Sequence, residues 1–510
     1  MSTIYTTCKH FVFVVLMLLI TKLSTAQKPV FLKSNIADSA LKDMALVQSD
    51  SYFKFKQNNH FQLWKTNGTL AGTVLVKDSF EFIKNLISLN NSLYFFAKPL
   101  SGQASLYKSD GTKAGTIVVK QFPGTNIELS GLSSINGNAY FSVISSNPNA
   151  GSVWKTDGTA SGTIEVKSNV YVKAAKDKNQ SFYKAGNSVV FSAYNLNNSY
   201  VALWSTNGTS AGTILIKDSA FYYQISRISE AVSSDSLLVF LDNTGSGGNL
   251  WRSNGTKAGT RILRGGSISS ISLYKNEFYY HSGTVYKALH KTDGNSHGAI
   301  TGLTNVGNSI GVFDNQLVLS GKDNNDWEPY LSDGSAANTV LLKDISNNTN
   351  GSDPRYFTEI ANAMYFVAND NIYGDQIWKT NGTTTGTSIA YSLIDTIPNF
   401  KTEGLYAGSN YILFVSNNQL YSIIGTGGSS INENLRAKRL LIYPNPTSGK
   451  IFIDYEASNQ AKIKMYNVLG EEVLATDFAE NISVEFLPKG MYWLQVIDND
   501  KKHTSKLILE

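Results

Sequence analysis

One sixteen-residue stretch constrains this chain more than any other: Leu203-Trp204-Ser205-Thr206-Asn207-Gly208-Thr209-Ser210-Ala211-Gly212-Thr213-Ile214-Leu215-Ile216-Lys217-Asp218. It recurs, plainly or in degenerate form, eight times, with its clearest other copies at 63–78, 153–167 and 250–263. The glycine that follows the turn Asn or Asp falls at 68, 111, 158, 208, 255, 294, 334 and 382, a spacing of 39 to 50 residues. Periods of this size belong to solenoids and propellers, whose units cannot bury their apolar faces alone.

Each copy reads as three or four short strands. An apolar run such as Leu93-Tyr94-Phe95-Phe96 or Val189-Val190-Phe191-Ser192 comes first. The Leu-Trp run, the glycine turn and a third run such as Val74-Leu75-Val76-Lys77 follow, and a weaker fourth strand is expected near 85–89. Short runs rich in Val, Ile, Tyr and Phe, broken by Asn-Gly or Asp-Gly, signal hairpins. No sustained helical periodicity occurs between Gln27 and Gly425, so the class is all-β. The turn residue is Asn at 67, 207, 254 and 381 and Asp at 110, 157, 293 and 333. Both types tolerate positive φ, so a tight hairpin turn is expected with Asn or Asp and Gly at its corner. Asp in half of the copies also argues against reading Asn-Gly-Thr as a glycan acceptor. Trp64, Trp154, Trp204, Trp251 and Trp378 share one position, taken elsewhere by Tyr107, His290 and Tyr330. Adjacent residues of a strand face opposite sides, so Leu63 and Trp64 require both faces of their strand to be covered.

The two ends of the repeat region complement each other. Val30-Phe31-Leu32-Lys33 looks like the third strand of a unit, while 411–415 and 420–423 look like the first two strands of another that lacks its third. One unit shared by both ends hides edge strands and closes a ring. The expectation is a β-propeller over 29–424, closed by both termini, with about eight (eight to nine) four-stranded blades. Weak copies such as 277–302 leave the ninth in doubt. The motif is similar to the ELWxxDGTxxGT repeat of exported bacterial proteins over roughly 60–390. Leu63 to Thr73 fits it nearly throughout, whereas His290, Ala299 and Asn338 depart from it. The resemblance implies a surface protein without naming an activity.

Both ends of the whole chain carry an address. Residues 1–26 have the layout of a signal peptide: Lys9, an apolar run from Phe11 to Ile20, and small residues Ser24-Thr25-Ala26 before cleavage at Gln27. Ten apolar residues fall short of the ~20 that a membrane span needs, so no transmembrane segment is expected in the mature chain. Cys8, the only cysteine, would leave with that peptide, which excludes thiol catalysis and cysteine metal sites. Loss of Lys9 and Lys22 lowers the net charge from +5 to +3, which gives no case for nucleic acid.

A glycine- and serine-rich flexible linker is expected at 425–439, before a small β-sandwich at 440–510. Tyr443-Pro444-Asn445-Pro446, Gly449, Asn467-Val468-Leu469-Gly470, Leu487-Pro488-Lys489-Gly490-Met491-Tyr492 and the final Lys506-Leu507-Ile508-Leu509 occur in that order. This order resembles the C-terminal sorting domain of type IX secretion. The resemblance implies partners in that machinery and its sortase, passage to the surface of a Bacteroidota-type cell, and attachment or release there.

Chemistry is sparse. His281, His290 and His297 are spaced nine and seven apart, which matches no compact metal pattern, and His290 occupies the aromatic slot. Asp323, Asp326 and Glu328 form the densest acidic group; they could hold Ca²⁺ through oxygen ligands, but a solvated loop is the preferred reading. Arginine is scarce between 29 and 424, with only Arg227, Arg252, Arg261, Arg264 and Arg355, against the cluster a sialidase-type propeller needs. No catalytic, cofactor or metal residue is assigned. The preferred function is a non-catalytic scaffold binding glycan or protein; the alternative is a glycan-active propeller enzyme.

Overall fold

Within each repeat, the runs picked out by their Val, Ile, Tyr and Phe content pair as consecutive antiparallel strands. In the third unit these are Glu128–Ile135, Asn138–Ile144, Gly151–Thr156 and Ile164–Ser168. The computed structural model describes residues 29–124, 126–145, 151–172, 180–195, 200–218, 228–242, 248–283, 288–300, 303, 305–323, 326–346, 350–391, 393, 397–425, 441–443, 447, 449–454, 460–468, 470–479, 481–498 and 501–510. The expected signal peptide, and the expected linker apart from Gly425, lie outside the described residues.

The chain is all-β and antiparallel. Nine four-stranded units follow one another among the described residues up to Gly425. Units one and two share the long strand Val74–Leu89, and units five and six share Arg261–Tyr274, so each pair forms one seven-stranded sheet. The ninth unit is made from both ends: Val30–Ser34 pairs with Gln419–Ile424, beside Tyr411–Ser416 and Tyr406–Ala407. The central expectation of eight units therefore gives way to nine. The doubtful segment forms strands Glu277–Ser282, Ala288–Thr292 and His297–Ile300. There His290 stacks on Tyr280 (5.4 Å, 14° between planes), replacing the Phe240–Trp251 stack of the preceding unit (6.2 Å, 9°). A flat imidazole fills the slot well enough to keep the strand paired.

The Leu-Trp step also fixes the outermost strand. Leu63 faces Lys77 but Trp64 faces Leu75, so Val76 is an extra residue opposite that step. The same slip occurs at Val153/Trp154, Leu203/Trp204 and Ile377/Trp378. A bulge turns one outer residue inward: Val76, Val166 and Ile216 are buried, while Val74, Leu75, Ile164 and Ile214 are exposed.

The apolar cores lie between consecutive units. Phe96 and Leu106 of the second unit meet Leu129 and Phe141 of the third, and Val190 and Leu203 of the fourth meet Leu238 and Trp251 of the fifth. Tyr365 and Val367 of the eighth pack on Ile412 and Phe414 of the ninth, and Leu413 and Val415 of the ninth pack on Phe53 and Phe55 of the first. The succession returns to its start. Lysines of outer strands lie over the aromatic of the next unit: Lys33 over Trp64 at 3.8 Å and Lys120 over Trp154 at 5.9 Å from the ring centres.

The turn is a hydrogen-bonded loop rather than the expected tight corner. Only the glycine has positive φ, +85° at Gly68 and +86° at Gly208; the preceding Asn67 and Asn207 do not. Asn or Asp is required for its side-chain oxygen, not for its backbone. Asn67 Oδ1 accepts from Thr69 N (3.1 Å) and Thr69 Oγ1 (2.7 Å), and Asp157 does the same for Thr159. Thr66 and Thr73 hydroxyls bond each other at 2.8 Å, and Gly68 N donates to Thr66 Oγ1 at 3.0 Å. The glycine also lets a neighbour approach. A Cβ on Gly68 would lie 2.6 Å from the Tyr411 ring, and one on Gly208 would lie 3.0 Å from the Tyr140 hydroxyl. At the junction of chain ends, Tyr411 Oη donates to Thr66 O (2.8 Å), accepts from Ser51 N (3.0 Å) and bonds Ser51 Oγ (2.8 Å).

The chain divides after Gly425, and a second compact unit follows. Its seven described strands form a three-stranded sheet around Lys450–Asp454 and a four-stranded sheet in which Lys462–Tyr466 lies beside Gly490–Asp498. Ile451, Ile453, Ile463, Met465, Leu494 and Leu507 fill one core between them, while Phe452, Lys462 and Lys464 point outward or to the margin. Period-two alternation dictates that division.

Candidate functional site

The first strand of several units carries a bulge at one equivalent position. Asn85 (φ +57°), Gly131 (+72°), Ser270 (+53°) and Tyr356 (+60°) each precede by four residues the last apolar residue of their strand: Leu89, Ile135, Tyr274 and Ile360. Asn and Gly adopt this left-handed conformation cheaply, and Ser is small; a tyrosine there costs on the order of 1–2 kcal/mol. Strain of this kind persists where the side chain serves another purpose. The seventh unit departs further. Val306 faces Gly321 but Ile310 faces Leu319, so two extra residues leave the ladder.

Between these two irregular strands lies a cleft of about 560 Å³, with Trp327, Asp353, Arg355, Tyr356, Ser309 and Ser320 on its walls. Trp327 is held by its backbone: its carbonyl accepts from Ser352 N (2.7 Å) and Asp353 N (3.2 Å). Gly351, at φ +71°, lies so close against that backbone that no Cβ fits. Lys322 Nζ lies 5.9 Å from the Trp327 ring centre. Arg355 is forked between Asp375 (2.5 Å) and Asp353 (3.3 Å). Partial desolvation at the cleft wall, with neighbouring Asp375, raises the largely exposed Asp353 carboxyl from its ordinary value against the pull of Arg355.

Glu328 follows Trp327 and points to the opposite strand face. It is buried, and its carboxylate accepts from Ile345 N (3.1 Å), Ser346 N (3.1 Å) and Ser352 Oγ (2.6 Å). Burial pushes it up from 4.5 to about 7, against these bonds. Gln376 does the same work in the eighth unit, accepting from Leu393 N at 3.1 Å. Both acceptors bond an amide seventeen residues downstream.

The calcium reading of Asp323, Asp326 and Glu328 is therefore corrected, as is the solvated-loop reading. Glu328 belongs to strand Asp326–Ser332 and binds protein donors, while Asp326 is half-buried at the start of that strand. The side chain of Asp323 lies outside the described residues. Among the described residues, no three His, Cys, Asp or Glu side chains are placed to hold a metal. The histidines lie in different environments: His281 is buried, His290 is stacked in the core with burial lowering its affinity for a proton, and His297 is exposed. The cleft residues went unassigned in the sequence. Their signal is Arg355-Tyr356, a rare arginine beside a tyrosine where other units carry Asn, Gly or Ser.

Residues 441–510 match the secretion system C-terminal sorting domain. The tail is a type IX sorting domain, which makes this a secreted or outer-membrane-surface protein with the secretion machinery as a partner. No curated protein matches the chain. Among solved structures, it is similar to a prolyl endopeptidase (13% identity, TM-score 0.34, covering 65% of this chain and 54% of that one). Prolyl oligopeptidase B from Galerina marginata gives 12% and 0.34, over 65% and 55%, and a Mycobacterium tuberculosis puromycin-hydrolyzing peptidase gives 10% and 0.32, over 77% and 62%. The aligned region thus spans little more than half the length of these peptidases, and scores this low carry no weight for activity. No described helix is long and apolar enough to cross a membrane.

Proposed function

We propose that residues 29–424 form a closed nine-bladed β-propeller that serves as a non-catalytic binding scaffold for a glycan or protein, with export completed by the tail. Closure is supported by the sheet shared between Val30–Ser34 and Gln419–Ile424 and by cores that run from unit to unit back to the first. The observation that carries the binding reading is the cleft itself. The seventh and eighth units share a packed core of Phe313, Val318, Leu331 and Met364, and beside it their irregular first strands leave a walled opening lined by Trp327, Arg355 and Tyr356. The buried acid nearest to it, Glu328, is committed to backbone and serine donors on the other face of its strand, which favours binding over acid–base chemistry.

The mature protein, passed over a glycan and protein panel, should be retained without turnover; released sugar defeats the scaffold reading. Fusing 425–510 to an inert exported reporter should carry it to the surface of a host with type IX secretion. A reporter left in the periplasm defeats the delivery reading.

A further inference from the structure

We infer that the cleft between the seventh and eighth units binds a neutral hexose-type glycan, its apolar C–H face on Trp327 and its hydroxyls on Arg355 and Asp353; this rests on the scaffold reading above. Three observations carry the choice. First, Trp327 is partly exposed on the cleft wall and its backbone is fixed, since Ser352 N and Asp353 N hold its carbonyl at 2.7 and 3.2 Å. An indole on an anchored backbone suits a flat saccharide face, because binding then orders no main chain on the protein side.

Second, the charge disfavours an acidic ligand. Among the described lining residues Arg355 is the cation, and Asp375 and Asp353 already flank it at 2.5 and 3.3 Å, while Lys322 Nζ stands 5.9 Å from the Trp327 ring centre outside that lining. A uronate, sialate or phosphate would meet two carboxylates around one guanidinium. Vicinal hydroxyls meet a donor fork beside an acceptor carboxylate, the complementarity a polyol offers. Third, Tyr356 keeps φ +60° at a position filled elsewhere by Asn85, Gly131 and Ser270; its ring packs against the core around Ile360 and Tyr365 and also forms part of the cleft wall. The cleft, about 560 Å³, lies within the ~300–1,000 Å³ of small-ligand sites.

The test is calorimetric titration of the full chain with neutral trisaccharides (maltotriose, mannotriose, xylotriose), acidic probes (trigalacturonate, sialyllactose) and a lysine-rich peptide. A neutral trisaccharide is expected to bind, and Trp327→Ala to weaken it at least tenfold. Tyr356→Asn should weaken it tenfold while the chain still unfolds cooperatively, because asparagine relieves the backbone and so offsets part of the packing that the ring gives up against Ile360 and Tyr365; a folded variant that binds weakly separates lost binding from lost folding. Preference for an acidic probe or the peptide overturns the inference. If a neutral glycan binds and neither substitution weakens it, the scaffold reading survives and the cleft does not. Retention of no saccharide by any variant, with a protein ligand captured instead, likewise removes the glycan.

Discussion

Replacing Glu328 by Gln should make the protein gain stability relative to the wild type as pH rises from 4.5 to 8. In the folded chain the carboxyl holds its proton up to about pH 7, and in the unfolded chain it gives it up near the ordinary 4.5. Between those values the unfolded state binds fewer protons, so stability falls as pH rises through the window and levels off above it. A tenfold change in proton affinity is worth ~1.4 kcal/mol, so the rise from 4.5 to about 7 amounts to roughly 3 kcal/mol. Glutamine has no charge to desolvate, but it keeps only one of the two acceptor oxygens, since Ile345 N bonds one and Ser346 N the other; that loss is a fixed offset that does not vary with pH. Gln376 already fills the equivalent position, with Leu393 N at 3.1 Å. The assay is urea unfolding of both proteins at half-unit steps from pH 4.5 to 8, paired with amide exchange at Ile345 and Ser346. Between pH 4.5 and 8 the difference between variants should move by about 1–3 kcal/mol in favour of glutamine. A difference that stays flat with pH, or a wild-type protein whose stability rises from pH 5 to 7 relative to the variant, refutes the burial argument.

Gly208→Ala forces a side chain into φ +86° under the Tyr140 hydroxyl and should cost at least ~1–2 kcal/mol in denaturant titration; no loss would mean that the turn relaxes freely. Tyr411→Phe removes the hydroxyl bonded to Ser51 and Thr66 and should cost about 1–3 kcal/mol, with faster proteolysis of the chain ends than of the middle units. Deamidation at Asn67, Asn207, Asn254 and Asn381 should be slow in the native protein and fast after unfolding, by peptide mass mapping. The reason is that the attacking nitrogens of Gly68, Gly208, Gly255 and Gly382 donate to side-chain hydroxyls at 3.0, 3.0, 3.1 and 3.0 Å.

The repeat was legible because its residues act locally. Gly68, Thr69 and Thr73 close one loop among themselves, and the same letters close it again at Gly208. Pairing of Val30–Ser34 with Gln419–Ile424 was legible for a related reason, since each end carried the strands that the other lacked. What escaped depends on burial and neighbours. Glu328 reads as part of an acidic loop until strand pairing turns it inward; only alignment on Gln376 exposes its role. Asn67 suggested a backbone preference, yet its oxygen is what matters. Tyr356 resembles any strand tyrosine until its φ is known. His290 was weak as a letter and adequate as a flat ring.

The long strands Val74–Leu89 and Arg261–Tyr274 have a mechanical consequence. Each is the outer edge of one sheet unit and the inner edge of the next, so force on either unit is transmitted along a single covalent rod. Under tension these pairs should yield as doublets of roughly twice the contour length released elsewhere. A gene losing one repeat at such a seam would tear the strand its neighbour stands on.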